Sequence, residues 1–392
     1  MNAGELREAM PSTAVAFQGY DRDALGRSRE LLEHTFYGPI LEEYLSRAGA
    51  VCNDFASEKT GLRDRLFRRS PARSIDLVQR VRDLRETRLE DFPEAVGLIV
   101  GTELAHLKML ETYFQVPYTS AQLAFGHSLG EIGALIAGGV LTLEEALKVP
   151  LNLARECVEL ADGVTLGILF SRGRQLSMEE VLEQCTHINC EGDGVIGISA
   201  QLSPNTLLVM GQGTTLDRLK QRMQEQREDK ILLRKTSGQW PPLHTLLVCD
   251  RYIPNRSAVM LRGLKGGFSS PTVPILSLVT GKISYNEFNA REILCQWCDH
   301  PQRAWDAVYG ALSMGVTTIV HVGPAPNIFP STFKRLSDNV EAQIKAHRRT
   351  QAISGMIRRP WLKALLPARA SLLRAPRVRH IVLEDWLLAQ RL

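Results

Sequence analysis

The segment Gly126-His127-Ser128-Leu129-Gly130 restricts the fold of this chain more than any other feature. It follows an apolar run, residues 120–125, that predicts a buried strand, and it precedes small and apolar residues, 132–138, that predict a helix. A G-x-S-x-G turn at such a junction forces the serine into a strained, exposed elbow, and its glycines let neighbouring backbone approach. The helix then directs its N-terminal N–H groups at the site where an oxyanion develops. The pattern predicts a nucleophilic Ser128, with a structural glycine-rich turn as the alternative.

The rest of the chain alternates strand-like and helix-like segments, which favours an α/β fold. Residues 13–18 predict a strand, whereas residues 25–46 and 93–114 predict helices. Farther along, Ser177-x-x-Glu180 and Thr214-x-x-Asp217 predict the N-caps of two helices. Strand-like segments precede, separate and follow these helices, at 164–170, 194–200, 206–210 and 230–235. The order βαββαβ is ferredoxin-like.

Length and composition exclude several classes of protein. A chain of 392 residues predicts one large domain with a smaller partner. With 44% hydrophobic and 23% charged residues, it is neither disordered nor fibrous overall. It has no apolar run long enough to span a membrane, and Glu5, Arg7 and Glu8 lie where a signal peptide would be apolar. Seven cysteines, an odd number spread thinly, favour a reducing compartment. We therefore predict a soluble cytoplasmic protein.

The positive charge is concentrated near the C-terminus. Between Glu341 and Glu384 there are ten basic residues and no acidic one, so the rest of the chain holds 37 basic against 43 acidic residues. Such a segment predicts a polyanionic partner, with a solvated face as the alternative. The same segment contains Trp361, Trp386 and several leucines, so part of it is expected to fold against the body.

A nucleophilic serine needs a neighbouring base to accept its proton. Among nine histidines, His244 lies on a loop fixed by Pro241 and Pro242, after the strand-like segment 230–235. It is the candidate base, and a structural histidine is the alternative. His127 adjoins the serine, but from so sharp a turn it is expected to point elsewhere and to pack.

Two further motifs carry less weight. Cys295-x-x-Cys298 has the spacing of half a zinc site, but no second pair supplies the other ligands. Gly211-x-Gly213 lacks the third glycine of a dinucleotide-binding turn. We predict no bound metal or cofactor, and no nucleic-acid partner.

Residues 126–131, G-H-S-L-G-E, resemble the signature of malonyl-CoA:acyl carrier protein transacylases and of the acyltransferase domains of polyketide and fatty acid synthases. Residues 14–19, 242–245, 274–281 and 314–324 are similar to other segments of that family, in the same order. The resemblance thus extends over residues 13–335. It implies a large α/β-hydrolase-like domain with a parallel sheet core and a small ferredoxin-like (βαββαβ) subdomain. The implied boundaries are 1–161 and 237–340 for the large domain, 162–236 for the subdomain and 341–392 for a basic C-terminal extension.

The resemblance also implies a site. Ser128 and His244 would be the catalytic pair, and the backbone N–H groups of Gln18 and Leu129 would form the oxyanion hole. The carbonyl of Trp297 would orient the histidine, and only its carbonyl would matter. The cleft between the two domains would have Ser128 on one wall and His244 on the other.

Departures from the family pattern concern the acyl pocket. Malonyl enzymes bind the free carboxylate with an arginine at the position of Leu153, and Arg155 is expected on the opposite face of the helix unless Pro150 kinks it. Leu202 replaces an asparagine and Leu243 a phenylalanine. These four residues, as substrate-binding positions, predict a less polar pocket for an uncharged acyl group, as in starter-unit acyltransferases.

The function implied is transfer of an acyl group from acyl-CoA to the phosphopantetheine thiol of an acyl carrier protein, in fatty acid or polyketide biosynthesis. A thioester hydrolase on the same scaffold is the alternative, and a carrier-binding scaffold with a vestigial site is a third interpretation. Acyl carrier proteins are acidic, so docking needs a basic surface. Residues 63–73 and 345–379 are the candidates, and we favour the second, with Arg348, Arg349, Arg358 and Arg359 as the residues to reverse.

Overall fold

The computed structural model describes residues 1–21, 24–59, 74–324, 328–349 and 360–392. Residues 63–73, Arg358 and Arg359 lie outside this set, as do the side chains of Lys345, Arg348 and Arg349. The two docking surfaces therefore stay predictions.

The described residues form strands and helices that alternate along the chain. The strands are β1 Thr13–Phe17, β2 Leu123–Gly126, β3 Val164–Ser171, β4 Ile196–Ser203, β5 Thr206–Gln212, β6 Ile231–Lys235, β7 Leu276–Ser277, β8 Lys282–Ile283, β9 Thr318–Val322 and β10 Arg379–Val382. The helices are α1 Ala3–Ala9, α2 Ser28–Glu33, α3 Tyr37–Lys59, α4 Leu77–Arg82, α5 Phe92–Phe114, α6 Leu129–Ala137, α7 Leu143–Ala146, α8 Lys148–Leu160, α9 Met178–Cys190, α10 Thr215–Glu225, α11 Ile253–Arg262, α12 Ala290–Gln296, α13 Ala304–Ser313, α14 Ile328–Arg349, α15 Pro360–Leu365 and α16 Leu383–Ala389. None of the helices described combines the length and apolarity that crossing a membrane requires.

A parallel sheet with the order β10-β9-β1-β2 forms the centre of the large domain. Its register pairs Phe17 at the end of β1 with Gly126 of β2 and Val322 of β9. Because the carboxyl ends of parallel strands meet at one edge, this pairing brings the loops after β1, β2 and β9 together. The candidate site lies at that edge.

Both faces of the strands β1 and β2 are buried, and these strands are almost wholly apolar, whereas the edge strand β10 exposes Arg379 and His380. Val15 and Phe17 face the core formed with α3, α5 and α6, whereas Ala14 and Ala16 face the core formed with α13 and α14. Burial on both sides is typical of parallel sheets covered by helices. The predicted α/β fold with a parallel sheet core is confirmed.

The small subdomain has the predicted βαββαβ order, and its antiparallel sheet has the strand order β4-β5-β3-β6. Helices α9 and α10 cover one face of this sheet. Ser177 accepts the N–H of Glu180 as predicted, but the side chain of Thr214 caps nothing, and Thr215 instead donates to the carbonyl of Gln212. The ferredoxin-like prediction is confirmed, and the predicted cap at Thr214 is wrong.

The single helix predicted over residues 25–46 is two helices, α2 and α3. The chain turns between His34 and Phe36, and α3 begins with Tyr37, Gly38 and Pro39. A β-carbon on Gly38 would overlap the carbonyl of Leu32, so this close turn depends on glycine. Apolar periodicity continues across the break, which is why the sequence does not reveal it.

The C-terminal extension is part of the large domain. Strand β10 pairs with β9 at the edge of the parallel sheet, and the predicted boundary at 340 falls inside α14. In α16, Leu387 is fully buried and Trp386 stacks edge-on against Phe114 of α5. The expectation that part of the basic segment folds against the body agrees with these contacts.

We predict that Leu387→Ala lowers the free energy of unfolding by about 2–4 kcal/mol, since it opens a cavity in a packed core. Leu373, in the same extension, is 42% exposed, and Leu373→Ala should change stability by less than about 0.5 kcal/mol. Urea unfolding followed by circular dichroism measures both. Equal stability of the two variants would show that α16 is not part of the core.

Candidate active site

Ser128 lies at a strained turn between β2 and α6. Its φ is 54° and its ψ is −112°, outside the regions that side chains normally adopt. The glycines on either side are required by packing: a β-carbon on Gly126 would overlap the backbone of Gly130, and one on Gly130 would overlap the carbonyl of Phe17. The local sequence therefore produces the predicted elbow, with the serine at its tip.

His244 lies against this serine. Its Nε2 is 2.6 Å from the Oγ of Ser128, and its Nδ1 is 2.6 Å from the carbonyl oxygen of Trp297. A carbonyl only accepts, so Nδ1 carries the proton and donates it, which leaves the lone pair of Nε2 facing the serine hydroxyl. The structure thus brings together the serine, the histidine and the carbonyl that the sequence predicts, in the tautomer that can accept the serine's proton.

The loop that carries His244 is itself strained. His244 has a φ of 65°, and its N–H donates to the carbonyl of Cys298 at 2.7 Å. Two bonds to the same segment, from the backbone and from the ring, overdetermine the position of the residue. Strain of this kind persists only where surrounding contacts hold it, and it concentrates at functional sites.

Burial keeps His244 neutral. The ring is 3% exposed, and desolvation, together with the nearby His127, lowers the pKa of His244 to about 3 against the opposing effect of the Trp297 carbonyl. His127, expected to point away, instead lines the same cavity with its ring centre 6.5 Å from that of His244. No hydrogen bond joins His127 to Ser128 among the contacts described, so its position makes it a neighbour of the candidate base.

The side chain of Trp297 matters as well as its carbonyl, contrary to the prediction. The indole Nε1 donates to the carbonyl of Ser128 at 2.9 Å, and the ring meets His244 edge-on at 5.1 Å. The residue is 1% exposed. The Trp297 side chain therefore holds both the elbow and the imidazole. The resemblance to the family implies a role for the carbonyl alone, so it does not predict these contacts.

The two predicted oxyanion donors differ in their surroundings. Leu129 is the first residue of α6, where an N–H has no partner within the helix. The N–H of Gln18, in contrast, donates to Oε1 of Glu103 at 2.8 Å and to the carbonyl of Val322 at 3.2 Å. The β1–β9 pairing continues one residue past the strand and holds this N–H away from the cleft. The role of Gln18 stays a prediction, and it requires these bonds to be released.

Sequence reasoning missed Glu103 and Gln302. Glu103 is fully buried in α5, and desolvation holds the pKa of its carboxyl well above the usual range. Gln302, also fully buried, accepts the N–H of Ser128 through Oε1 at 3.1 Å. The sequence gives a partial signal for Glu103, because Gly133 leaves the space that the Glu103 carboxyl occupies. Nothing local marks Gln302, because its neighbours come from distant parts of the chain.

A cavity of about 380 Å³ opens beside Ser128 and His244. Leu166, Leu208 and Met210 line it from the small subdomain, and Phe92 and Leu243 line it from the large one. No lysine or arginine is among the described residues of its wall, and apart from histidines the charged side chain there is Asp21. The part of the wall that the structure describes therefore suits an apolar group and presents no cation to a carboxylate.

Three of the four predicted substrate-binding residues lie elsewhere. Leu153 is buried in the core of the large domain, and Arg155 is 69% exposed and paired with Glu159. Pro150 occupies the first turn of α8, where no N–H is needed, so it does not change the register. Leu202 lines a separate cavity of about 320 Å³, and only Leu243 lines the cavity of Ser128.

Comparisons with known proteins agree with this geometry. No family model matches the chain. The "Malonyl CoA-acyl carrier protein transacylase" of Bacillus subtilis is 23% identical over 232 residues, which are 59% of this chain and 55% of that protein. "Polyketide synthase GfsA" of Streptomyces halstedii is 25% identical over 57% of this chain and 3% of its own length. The chain thus spans about half of the transacylase and a small part of the synthase.

Two solved structures have the same fold. The malonyl CoA-acyl carrier protein transacylase of Coxiella burnetii has a TM-score of 0.63 at 18% identity, and the match covers 93% of this chain and 99% of that one. A malonyl-transacylase solved in complex with its type II polyketide synthase acyl-carrier protein has a TM-score of 0.60 at 19% identity, with 82% and 92% covered.

The protein therefore has the two-domain α/β fold of acyl carrier protein transacylases and polyketide synthase acyltransferase domains. Its resemblance to the malonyl-CoA:acyl carrier protein transacylase family, inferred from its motifs, is confirmed in sequence and in fold.

The pKa of His244 predicts an unusual pH dependence. An ordinary histidine is almost wholly protonated at about pH 5 and could not accept a proton there. Because burial holds the pKa of His244 at about 3, we expect Ser128 to react with a serine-directed sulfonyl fluoride at a nearly constant rate from about pH 8 down to about pH 5. Intact mass spectrometry of the adduct measures the rate. A decline centred near pH 6.5 would contradict this expectation.

Proposed function

We propose that this protein is an acyltransferase that moves an acyl group from acyl-CoA to the phosphopantetheine thiol of an acyl carrier protein, in fatty acid or polyketide-type biosynthesis. The observation that carries the proposal is the 2.6 Å contact of Ser128 Oγ with His244 Nε2, on a ring whose Nδ1 faces a carbonyl. The names of the relatives support it: transacylases, and one malonyl-transacylase in complex with an acyl carrier protein.

The first half-reaction forms an ester on Ser128. As Oγ attacks the thioester carbonyl, its proton moves to Nε2 of His244, and the Trp297 carbonyl stabilises the imidazolium through Nδ1–H. The N–H of Leu129, at the start of α6, stabilises the tetrahedral oxyanion. When the intermediate collapses, the carbon–sulfur bond breaks and the CoA thiolate takes the proton from Nε2.

The second half-reaction reverses these roles. The thiol of the carrier protein gives its proton to Nε2 and attacks the ester, and the Ser128 oxygen leaves with that proton. The product is an acyl thioester on the carrier, and the serine and the neutral histidine are restored. Hydrolysis, the alternative, would replace the thiol by water, and it releases the free acid.

The cavity wall supports an uncharged acyl group. A malonyl carboxylate would leave water for an apolar wall that holds no described cation and would approach Asp21, a group of the same sign. Burying an unpaired charge costs several kcal/mol. The wall itself therefore supports the substrate class, since Leu153 and Arg155 do not reach it.

We expect Ser128→Ala to abolish the acyl adduct and His244→Ala to slow its formation by at least about a hundredfold, because the hydroxyl loses its base. Intact mass spectrometry after exposure to a panel of acyl-CoAs measures the adduct, and adding carrier protein measures its transfer. His300 is half-exposed on the surface, so His300→Ala is the matched control and should behave as wild type.

Three outcomes separate the alternatives. A lasting adduct that moves to the carrier supports transfer, whereas rapid release of free acid supports the hydrolase. Normal acylation of the His244→Ala variant would refute the role of His244.

Uncharged acyl-CoAs should acylate Ser128 faster than malonyl-CoA. Leu208→Arg places a cation at a half-buried position in the cavity wall. We expect it to raise the ratio of the malonyl acylation rate to the acetyl acylation rate by about tenfold. Leu202→Arg, at a partly buried position of the same sheet that faces the other cavity, is the control and should leave the ratio unchanged. A wild-type preference for malonyl-CoA over acetyl-CoA would refute the proposed acyl class.

A further inference from the structure

Gln302 connects three parts of the molecule through one side chain and its own backbone. Its Oε1 accepts the N–H of Ser128 at 3.1 Å, and its Nε2 is 3.3 Å from Nδ1 of His244. Its N–H donates to the carbonyl of Ser199 and its carbonyl accepts the N–H of Gln201, both at 2.8 Å. The nucleophile, the base and strand β4 of the small subdomain are therefore tied to the same fully buried residue.

The chemistry of these partners fixes the orientation of the amide. A backbone N–H only donates, so the atom of Gln302 that faces Ser128 must be the oxygen. The NH₂ group then faces the imidazole of His244. The backbone bridge to Ala200 of β4 holds the residue in place, so the side chain reaches the site from a fixed point.

We propose that Gln302 is a positioning residue for both Ser128 and His244. By accepting the Ser128 N–H, it stabilises the strained conformation in which the hydroxyl faces Nε2. By placing the partial positive charge of its NH₂ beside Nδ1, it disfavours the imidazolium and keeps the ring neutral before reaction. The proposal rests on the proposed roles of Ser128 and His244, but not on the identity of the acyl group.

Two variants separate these effects. Gln302→Met keeps the length of the side chain and removes both polar groups, so Ser128 should react at least about tenfold more slowly. Gln302→Glu keeps an acceptor for the Ser128 N–H but places a carboxylate beside Nδ1. A carboxylate stabilises the imidazolium, so the acid limb of the pH–rate profile, followed down to about pH 3, should move up by about one pH unit or more.

The readout is acylation of Ser128 by an uncharged acyl-CoA and, in parallel, its labelling by a sulfonyl fluoride, which needs neither CoA nor carrier. Gln184, 4% exposed in α9 of the small subdomain, provides the matched control, and Gln184→Met should leave rate and pH profile unchanged. Circular dichroism verifies that each variant is folded. Should Gln302→Met not fold, the pH profile of the closer isostere Gln302→Glu decides alone.

The outcomes are distinct. Wild-type rates in folded Gln302→Met, or a Gln302→Glu profile that superimposes on that of the wild type, would overturn the positioning role. A wild-type protein that is labelled by the sulfonyl fluoride but by no acyl-CoA would instead refute the proposed acyl transfer. The comparison of variants with the sulfonyl fluoride would still decide the role of Gln302.

Discussion

The hydrogen bond from Nδ1 of His244 to the carbonyl of Trp297 is the interaction on which the site depends. It selects the tautomer, and through the tautomer it decides whether Nε2 can accept a proton from Ser128. A carboxylate in that place would raise the pKa of the ring, whereas a neutral carbonyl orients it without adding charge. Because the site is buried, desolvation dominates, and the ring of His244 stays neutral at pH values well below the usual pKa of histidine. The strained backbone of Ser128 and His244, with φ of 54° and 65°, shows how firmly the surroundings impose this geometry.

Much of the fold could be predicted because it follows from local patterns. The elbow depends on glycines at fixed spacing, and the small subdomain on short alternating segments, so both are visible in the sequence. The break between α2 and α3 is not, because apolar periodicity runs across it. The cap predicted at Thr214 does not form, and this too is not visible in the sequence. Threonine suits an N-cap, but Thr215 donates to a neighbouring carbonyl and Thr214 caps nothing.

The candidate site shows the same division. Ser128 and His244 lie in recognisable segments, and the structure brings them together. Gln302 and Glu103 act on residues 174 and 85 positions away, and no local pattern encodes such a contact. Leu153 and Leu202 occupy family positions that predict contact with the acyl group, but neither lines the cavity of Ser128. Leu153 packs into the core from α8, and Leu202, near the end of β4, lines another cavity. Neither residue therefore forms part of the wall, although the fold is unchanged. The apolar character of the pocket comes from Leu208 and Met210 instead.

The pairing of β1 with β9 has a consequence for how the chain acquires its structure. Thr13 of β1 pairs with Thr318 of β9, far along the chain, and β1 is a central strand of the parallel sheet. Contacts of such long range form slowly, because a large loop must close before they stabilise anything. While the chain is being synthesised, β1 can therefore pair with β2 on one side but has no β9 on the other. The small subdomain, whose strands lie between residues 164 and 235, can complete its own sheet during that interval. The order of assembly implied is subdomain first and the β1–β9 pairing last, and until then one edge of β1 stays unpaired.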